Sequence, residues 1–355
     1  MTIPSVRPPA AASSAAVPPA GPPTAPAAGP RRGDRLLGVA GSPRLAFLLK
    51  RFARAALSLV IVLIASFFMV HFVPGDPVRA ALGPTAPAET VAVLRSTLGL
   101  DLPIGQQFLN YLGGLLRGDL GTSISTQRPV GATLAERLPA TLMLSVVSFA
   151  VAALGAFPIG VATAVSARAG KHRALDLGVS GLLGVVIAIP NFLLAVVLIW
   201  LFSIVVPLAP SAGWGGPEYA VLPVLALAIG PLAYLARIVH VEMVRVLEAP
   251  YLTTARSKRL PGHLLYLRHA LPNIVTATLT AGGVVLTGLV AGTVLIETVF
   301  VIPGIGSTIV SSITTKDYPL IQGIVLMYAV LVLAANLVID LLLAALDPRS
   351  AIAEA

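Results

Sequence analysis

Six stretches of the chain contain no Asp, Glu, Lys or Arg: 55–75, 138–167, 177–217, 219–236, 270–296 and 318–339. A helix that crosses a bilayer needs about 20 apolar residues, and five of the stretches reach that length. The fourth is slightly short, but its helix can continue past Arg237, whose long side chain can reach the interface. The third is too long for one span. Pro207, Pro210 and the run Gly213-Trp214-Gly215-Gly216-Pro217 mark a turn after Phe202. The pattern predicts an all-α integral membrane protein with six spans and both chain ends on one side.

Polar segments between the spans predict further elements. Pro74-Gly75-Asp76-Pro77 is a turn signal just after the first span. Pro87 and Glu89 start a short helix that ends near Gly99. A second helix follows Pro103, with Ile104, Phe108, Leu112 and Leu115 on one face. That spacing marks amphipathic helices lying on the membrane surface or over the spans. The alternative is a cap that only packs. Between the last two spans, Pro303-Gly304-Ile305-Gly306 and its apolar flanks predict a partly buried re-entrant turn or short helix.

Composition agrees with a membrane protein. Of the 355 residues, 56% are hydrophobic and 11% charged, where soluble domains carry about 25% charged. Without a single cysteine, disulfides, thiolate zinc sites, iron–sulfur clusters and a cysteine nucleophile are excluded. The net charge of +9 would hint at nucleic acid on a soluble protein. Its distribution says otherwise. Segments 1–54, 168–176, 237–268 and 347–355 hold 18 of the 24 Lys and Arg, and the alternate segments 76–137, 207–218 and 297–317 hold 6. This is a positive-inside signature. It predicts cytoplasmic termini, a multi-pass protein of the inner (plasma) membrane, lipid bilayer as its surroundings and no nucleic-acid partner.

Three regions follow from these patterns. Residues 1–44, mostly Ala, Pro, Gly and Ser, form an extension expected to be disordered. It is not a signal peptide, because no apolar stretch follows a short basic start. Residues 45–350 form the six-span domain, with an external segment at 76–137 and a cytoplasmic loop at 245–272. Residues 351–355 are a cytoplasmic tail.

The loop 245–272 stands apart. Pro250 suits the first position of a helix, Tyr251 through Leu260 can make about three turns, and Pro261-Gly262 ends or bends them. A second helix can run from His263 to Ala270. Tyr251, Ala255 and Leu260 would form an apolar ridge, with Arg256 and Lys258 on other faces. Such a helix can lie on anionic lipid, serve as a solvated connector, or enter a groove on a partner protein.

Here the residues resemble a known family. Tyr251-Leu252-Thr253-Thr254-Ala255-Arg256-Ser257-Lys258 is similar to the EAA loop of ABC-importer permeases, in the form of the dipeptide/oligopeptide/nickel family. His269-Ala270-Leu271-Pro272-Asn273 matches the end of that motif. Pro74 to Pro77, Leu98 to Pro103, Gly113 to Gly121, Glu297 to Phe300, Pro303-Gly304, Asp317 to Pro319, Gln322-Gly323, Asn336 to Asp340 and Leu346 to Arg349 match in order along the chain. The long segment after the first span is typical of the B-type subunit, and the resemblance covers roughly 45–350.

The resemblance implies a type I permease fold of six transmembrane helices, with a helical external segment and a cytoplasmic coupling helix. It implies a second homologous permease and two ATPase subunits (or a fused one) that bind ATP and Mg. It also implies an extracytoplasmic binding protein that docks on the external segment. Tyr251, Thr254, Ala255, Arg256, Lys258 and Arg259 would lie at the ATPase contact. Peptides would be the substrates, with nickel, glutathione or another small solute as alternatives. Two departures stand out. Pro250 replaces the usual acidic residue, and Arg259 replaces a glycine that ends the coupling helix in a left-handed turn. With Arg259, the helix is expected to run about one residue longer and to stop through Pro261-Gly262.

Four further points concern chemistry. Asp340 is an intramembrane carboxylate, a functional candidate by default; its place near the end of the last span predicts pairing with a base such as Arg237 or Arg245. Glu297 and Asp317, at the outer ends of the last two spans, are expected to be interfacial, or else to touch substrate or the binding protein as a gate. His71, His240 and His269 lack metal-site spacing, so no metal is expected. No GxxxxGK[ST] occurs in the chain, nor a nucleophile–base set; the chain carries no ATPase site and no cofactor of its own. The competing class is an ion-gradient-driven secondary transporter, which usually shows internal repeats and mid-membrane ion ligands. A membrane enzyme lacks its catalytic set.

Overall fold

A computed structural model describes residues 43–72, 76–83, 85–168 and 173–346. The extension at 1–42 and the tail at 347–355 lie outside these residues, as do Pro74, Gly75 and the loop 169–172. Among the described residues the structure is helical, with one isolated bridge between Thr122 and Pro129.

The helix α1 (Pro43–Phe72) is followed by three short ones, α2 (Pro77–Leu82), α3 (Ala88–Thr97) and α4 (Ile104–Leu116). Asp76 caps α2 by accepting from the Val78 N–H at 3.0 Å, and it also takes a 2.6 Å bond from Arg95 of α3. One side chain thus closes a helix start and pins the next helix to it. On α4, Phe108 meets Phe67 of α1 edge to face and Tyr111 stacks on it, with ring centroids 5.1 and 5.7 Å away. The amphipathic face predicted for α4 therefore covers the end of the first span, although Ile104 at its start stays exposed.

The helix α5 (Val130–Arg168) is 39 residues long, or about 58 Å. It exceeds a bilayer, so its first two turns stand clear of the apolar stretch that begins at residue 138. It packs along α8 (Pro217–Leu247). The facing residues are small: Ala152, Ala156 and Ala164 of α5 and Ala228, Ala233 and Ala236 of α8 are all buried. A Cβ on Gly160 would sit 2.6 Å from the Ala236 carbonyl oxygen and from Val239. Membrane helices gain by this close backbone approach, because lipid is as apolar as the side chains it replaces. His240 Nδ1 and Thr163 Oγ1, 2.9 Å apart, tie the same pair of helices.

Between them the chain bends within the third charge-free stretch, ahead of the turn expected after Phe202. The helix α6 (Arg173–Ala188) stops at Ile189-Pro190, and α7 (Asn191–Ile199) leaves at 98°, widening into a π-helical turn over Trp200–Val205. Pro190 has no N–H to continue the ladder and disfavours helix at the residue before it. Among the described residues five helices are long and apolar enough to cross a membrane, and the bent pair makes a sixth crossing if counted as one. Pro207, Pro210 and the glycine run do follow as a turn, held by a 2.8 Å bond from the Gly213 N–H to the Phe300 carbonyl.

After α8 come α9 (Pro250–Ser257) and α10 (Gly262–Leu264). The latter runs through a π-helical turn at Leu265–Ala270 into α11 (Leu271–Val299). The helix predicted from His263 is thus the start of the fifth crossing. Pro272, which cannot donate, lies just beyond the widened turn. The helix α12 (Ile305–Thr315), buried at Ile305, Gly306 and Ser312 and exposed along its other side, and the last span α13 (Tyr318–Leu346) follow. One apolar cluster, with Leu144, Leu222, Leu289 and Phe300, fills the α4 end of the bundle. Another, with Val239, Met243, Leu247 and Ile274, fills the α9 end.

Candidate functional site

At the α9 end, a helix of eight residues projects from the turn after α8. Pro250 occupies its first turn, where a missing N–H costs nothing. Its anchor is Leu252, fully buried in the cluster with Met243, Leu247 and Leu265. Burial of one leucine contributes about 1.5–3 kcal/mol. A second tie comes from Arg256, whose Nη2 donates to the Leu247 carbonyl at 3.1 Å. The fourfold spacing from Leu252 to Arg256 puts both on the face turned towards the bundle.

The predicted apolar ridge differs from this arrangement. Ala255 and Leu260 are half-buried, but Tyr251 is 45% exposed and points away from the core. Leu252, one residue on, takes the inward place. Thr254 is exposed, its hydroxyl donating to the Pro250 carbonyl at 3.2 Å, and Lys258 and Arg259 are exposed at the end. The helix also ends earlier than predicted. It stops at Ser257, and Arg259 itself adopts the left-handed conformation, with φ 56°. Its N–H bonds the Arg256 carbonyl at 2.8 Å. A residue with a side chain performs the turn that glycine would make more cheaply.

At the α4 end, Glu297 and Asp317 are both fully buried rather than interfacial. Glu297 accepts from Thr141 Oγ1 of α5 at 2.7 Å and from the Ser307 N–H at 3.0 Å. Thr141 Oγ1 also accepts from the Ile305 N–H at 2.9 Å. The carboxyl thus sits over the first turn of α12 and satisfies N–H groups that have no partner inside that helix. Gly304 and Gly306 lie so close that a Cβ on either would strike the Glu297 carboxyl, which accounts for the glycines of that motif.

Asp317 precedes α13 and reaches into the loop before α5. It accepts from the Ser123 hydroxyl, from Ser125 Oγ at 2.6 Å, and from the Ile124 and Ser125 N–H groups at 3.1 Å. A buried carboxylate is stable only when so fully bonded. These two acids staple α5, α12 and α13 together; they do not face an opening. Sequence spacing gave no sign of Thr141, Ser123 or Ser125 as their partners, some 150 to 200 residues away.

Asp340 is paired with Arg51 of α1, and not with Arg237. Arg237 and Arg245 are exposed on α8, whereas α1 packs directly on α13. Among the described residues no group of acids and histidines could hold a metal ion. His240 is spent on Thr163, and the side chains of His71 and His263 lie outside the described residues.

Comparison with known proteins places these features in a family. The model of the "Binding-protein-dependent transport system inner membrane component" matches residues 156–352, and that of the N-terminal part of such membrane components matches 44–145. A protein of Brucella suis, provisionally named a peptide transport system permease, is 35% identical over 312 residues, covering 86% of this chain and 98% of the relative. The glutathione transport system permease of Salmonella typhimurium is 36% identical over 305 residues, with the same coverage. The chain belongs to the inner-membrane permease family of binding-protein-dependent ABC importers.

Proposed function

We propose that the chain is one half of the translocation path of an ATP-driven peptide importer, with α9 as the helix that couples it to an ATPase. The observation that carries this reading is the construction of α9. Leu252 and Arg256 fix it to the bundle, while Tyr251, Thr254 and Lys258 are exposed among the described residues. A surface lipid helix would turn its apolar face to the membrane; this one turns it to the core of its own protein. That favours a groove on a partner over anionic lipid.

On this reading the α9 end is cytoplasmic, in line with the distribution of Lys and Arg, and so are both termini. The α4 end is external and receives the binding protein. A second homologous permease completes the path, and two ATPase subunits, or a fused pair, bind ATP and Mg beneath it. Motion of the ATPases passes through α9 to α8 and α11, because Leu252 shares one apolar cluster with Met243, Leu247 and Ile274. Peptides are the substrates favoured by the name of the Brucella relative; glutathione, itself a small peptide, is the cargo in the name of the Salmonella one.

Replacement of Tyr251 by Asp tests the coupling. Its side chain is outside the core, so the permease should still assemble in the membrane. ATP-driven uptake by the reconstituted importer should fall at least about tenfold, the effect of losing one well-packed interfacial aromatic. Uptake and ATPase recovery equal to wild type would remove α9 from this role.

A further inference from the structure

A cleft of about 450 Å³ opens between the first turns of α5 and one side of α12, within the size range of small-ligand sites. Its two walls differ in chemistry. The α5 wall carries Arg128 and Arg137. Arg128 is held by Glu136, Nη2 to Oε2 at 2.8 Å. Arg137 is half-buried and has no ion pair among the described residues. Among the described residues its Nε also lacks a hydrogen-bond partner.

The α12 wall is a row of hydroxyls: Thr308, Ser311, Ser312 and Thr315. Each donates its proton to a carbonyl of its own helix, Thr308 to Gly304 at 2.7 Å, Ser311 and Ser312 to Thr308 at 2.8 and 2.7 Å, and Thr315 to Ser311 at 3.1 Å. Ser125, at the edge of the cleft, spends its proton on Asp317. With their protons engaged, these oxygens offer only lone pairs to the cleft. One wall is therefore cationic and the other accepts hydrogen bonds.

We propose that this cleft is a subsite for a carboxylate that carries N–H groups, in the form of the C-terminal end of a short peptide. The carboxylate faces the Arg137 guanidinium, which suits a planar two-oxygen partner. The peptide N–H groups donate to the α12 hydroxyls. A simple inorganic anion would satisfy Arg137 but would meet lone pairs on the opposite wall. Glu136, the carboxylate whose charge reaches Arg137, is exposed and hydrogen-bonded to Arg128, and Glu297 and Asp317 are saturated by internal donors, so none of the three is hydrogen-bonded to Arg137. The choice of a peptide as occupant rests on the function proposed above.

The test is binding of trialanine and of trialanine amide to the assembled importer in nanodiscs, without the binding protein, read by saturation-transfer NMR. The acid should bind at least about tenfold tighter than the amide, the weight of one charge-assisted pair. Arg137→Gln should weaken the acid about tenfold and leave the amide within about twofold. Arg137→Lys, which keeps the charge without the fork, should lose less than Gln. Equal binding of acid and amide to wild type would overturn the proposal. So would acid binding unchanged in Arg137→Gln, or no binding of either up to about 20 mM. If Arg137→Gln fails to assemble, the acid-to-amide ratio on wild type still decides. ATP-driven trialanine uptake is read separately in the same preparation with the binding protein added. Uptake lost with binding intact strikes at the import reading alone; binding absent with uptake intact strikes at the subsite alone.

Discussion

Arg259 holds a backbone conformation that its side chain disfavours, with φ 56° at the end of α9. A non-glycine residue there costs about 1 kcal/mol or slightly more. Arg259→Gly should therefore raise the thermal denaturation midpoint of the detergent-solubilised protein, or leave it level once the entropy of the unfolded glycine is counted. A fall of several degrees would mean that the arginine side chain holds a contact worth more than the strain. The buried acids belong to the same scale. Position at the outer ends of the last two spans makes Glu297 and Asp317 interfacial, yet each is buried and bonded by donors from residues far along the chain. Position in sequence located them at helix ends and said nothing of what covers them.

Single elements take their roles from a few contacts. The helix α9 has only eight residues, too few to be stable alone, so its orientation depends on Leu252. Leu252→Ala should cost about 2–5 kcal/mol of local packing, since it empties a fully buried site. The α9 segment would then move freely relative to α8. Hydrogen exchange of residues 250–260 should rise sharply, with α5 and α8 unchanged, and uptake should fall with it. Protection unchanged in that variant would show that Arg256 alone secures the helix. The third crossing teaches a related lesson. Its break falls at Ile189-Pro190, a proline inside a charge-free run of 177–217 that continues on both sides, so charge spacing alone does not mark it.

At the scale of the whole molecule, the pair Arg51–Asp340 links the first span to the last. Truncating one partner leaves an uncompensated charge in an apolar setting, at about 3 kcal/mol. Asp340→Leu should lower the level of assembled permease in the membrane. The double variant Arg51→Leu with Asp340→Leu should restore most of it, because packed leucines replace such a pair at little cost. Equal loss in single and double variants would assign Asp340 a role beyond pairing. The small-residue seam of α5 and α8 works at the same scale. It is the most extensive helix contact in the bundle, and it joins α5, which carries Arg137 at the cleft, to α8, which leads into α9.

Much of this protein is written in its sequence. The charge-free stretches determine the helices that cross, since a buried charge in lipid is expensive. The spacing of Pro87, Gly99 and Pro103 determines α3 and α4 to within a residue or two. The strings around Tyr251 and along the later spans carry the family. Tertiary structure decided what spacing cannot encode. It turned Leu252 inwards and Tyr251 outwards, gave Asp340 to Arg51 instead of Arg237, and buried Glu297 and Asp317 under hydroxyls. It also set Arg137 across a cleft from α12. The physical reason is range: a helix period depends on neighbours three or four residues away, whereas an ion pair or a cleft depends on which helices pack side by side.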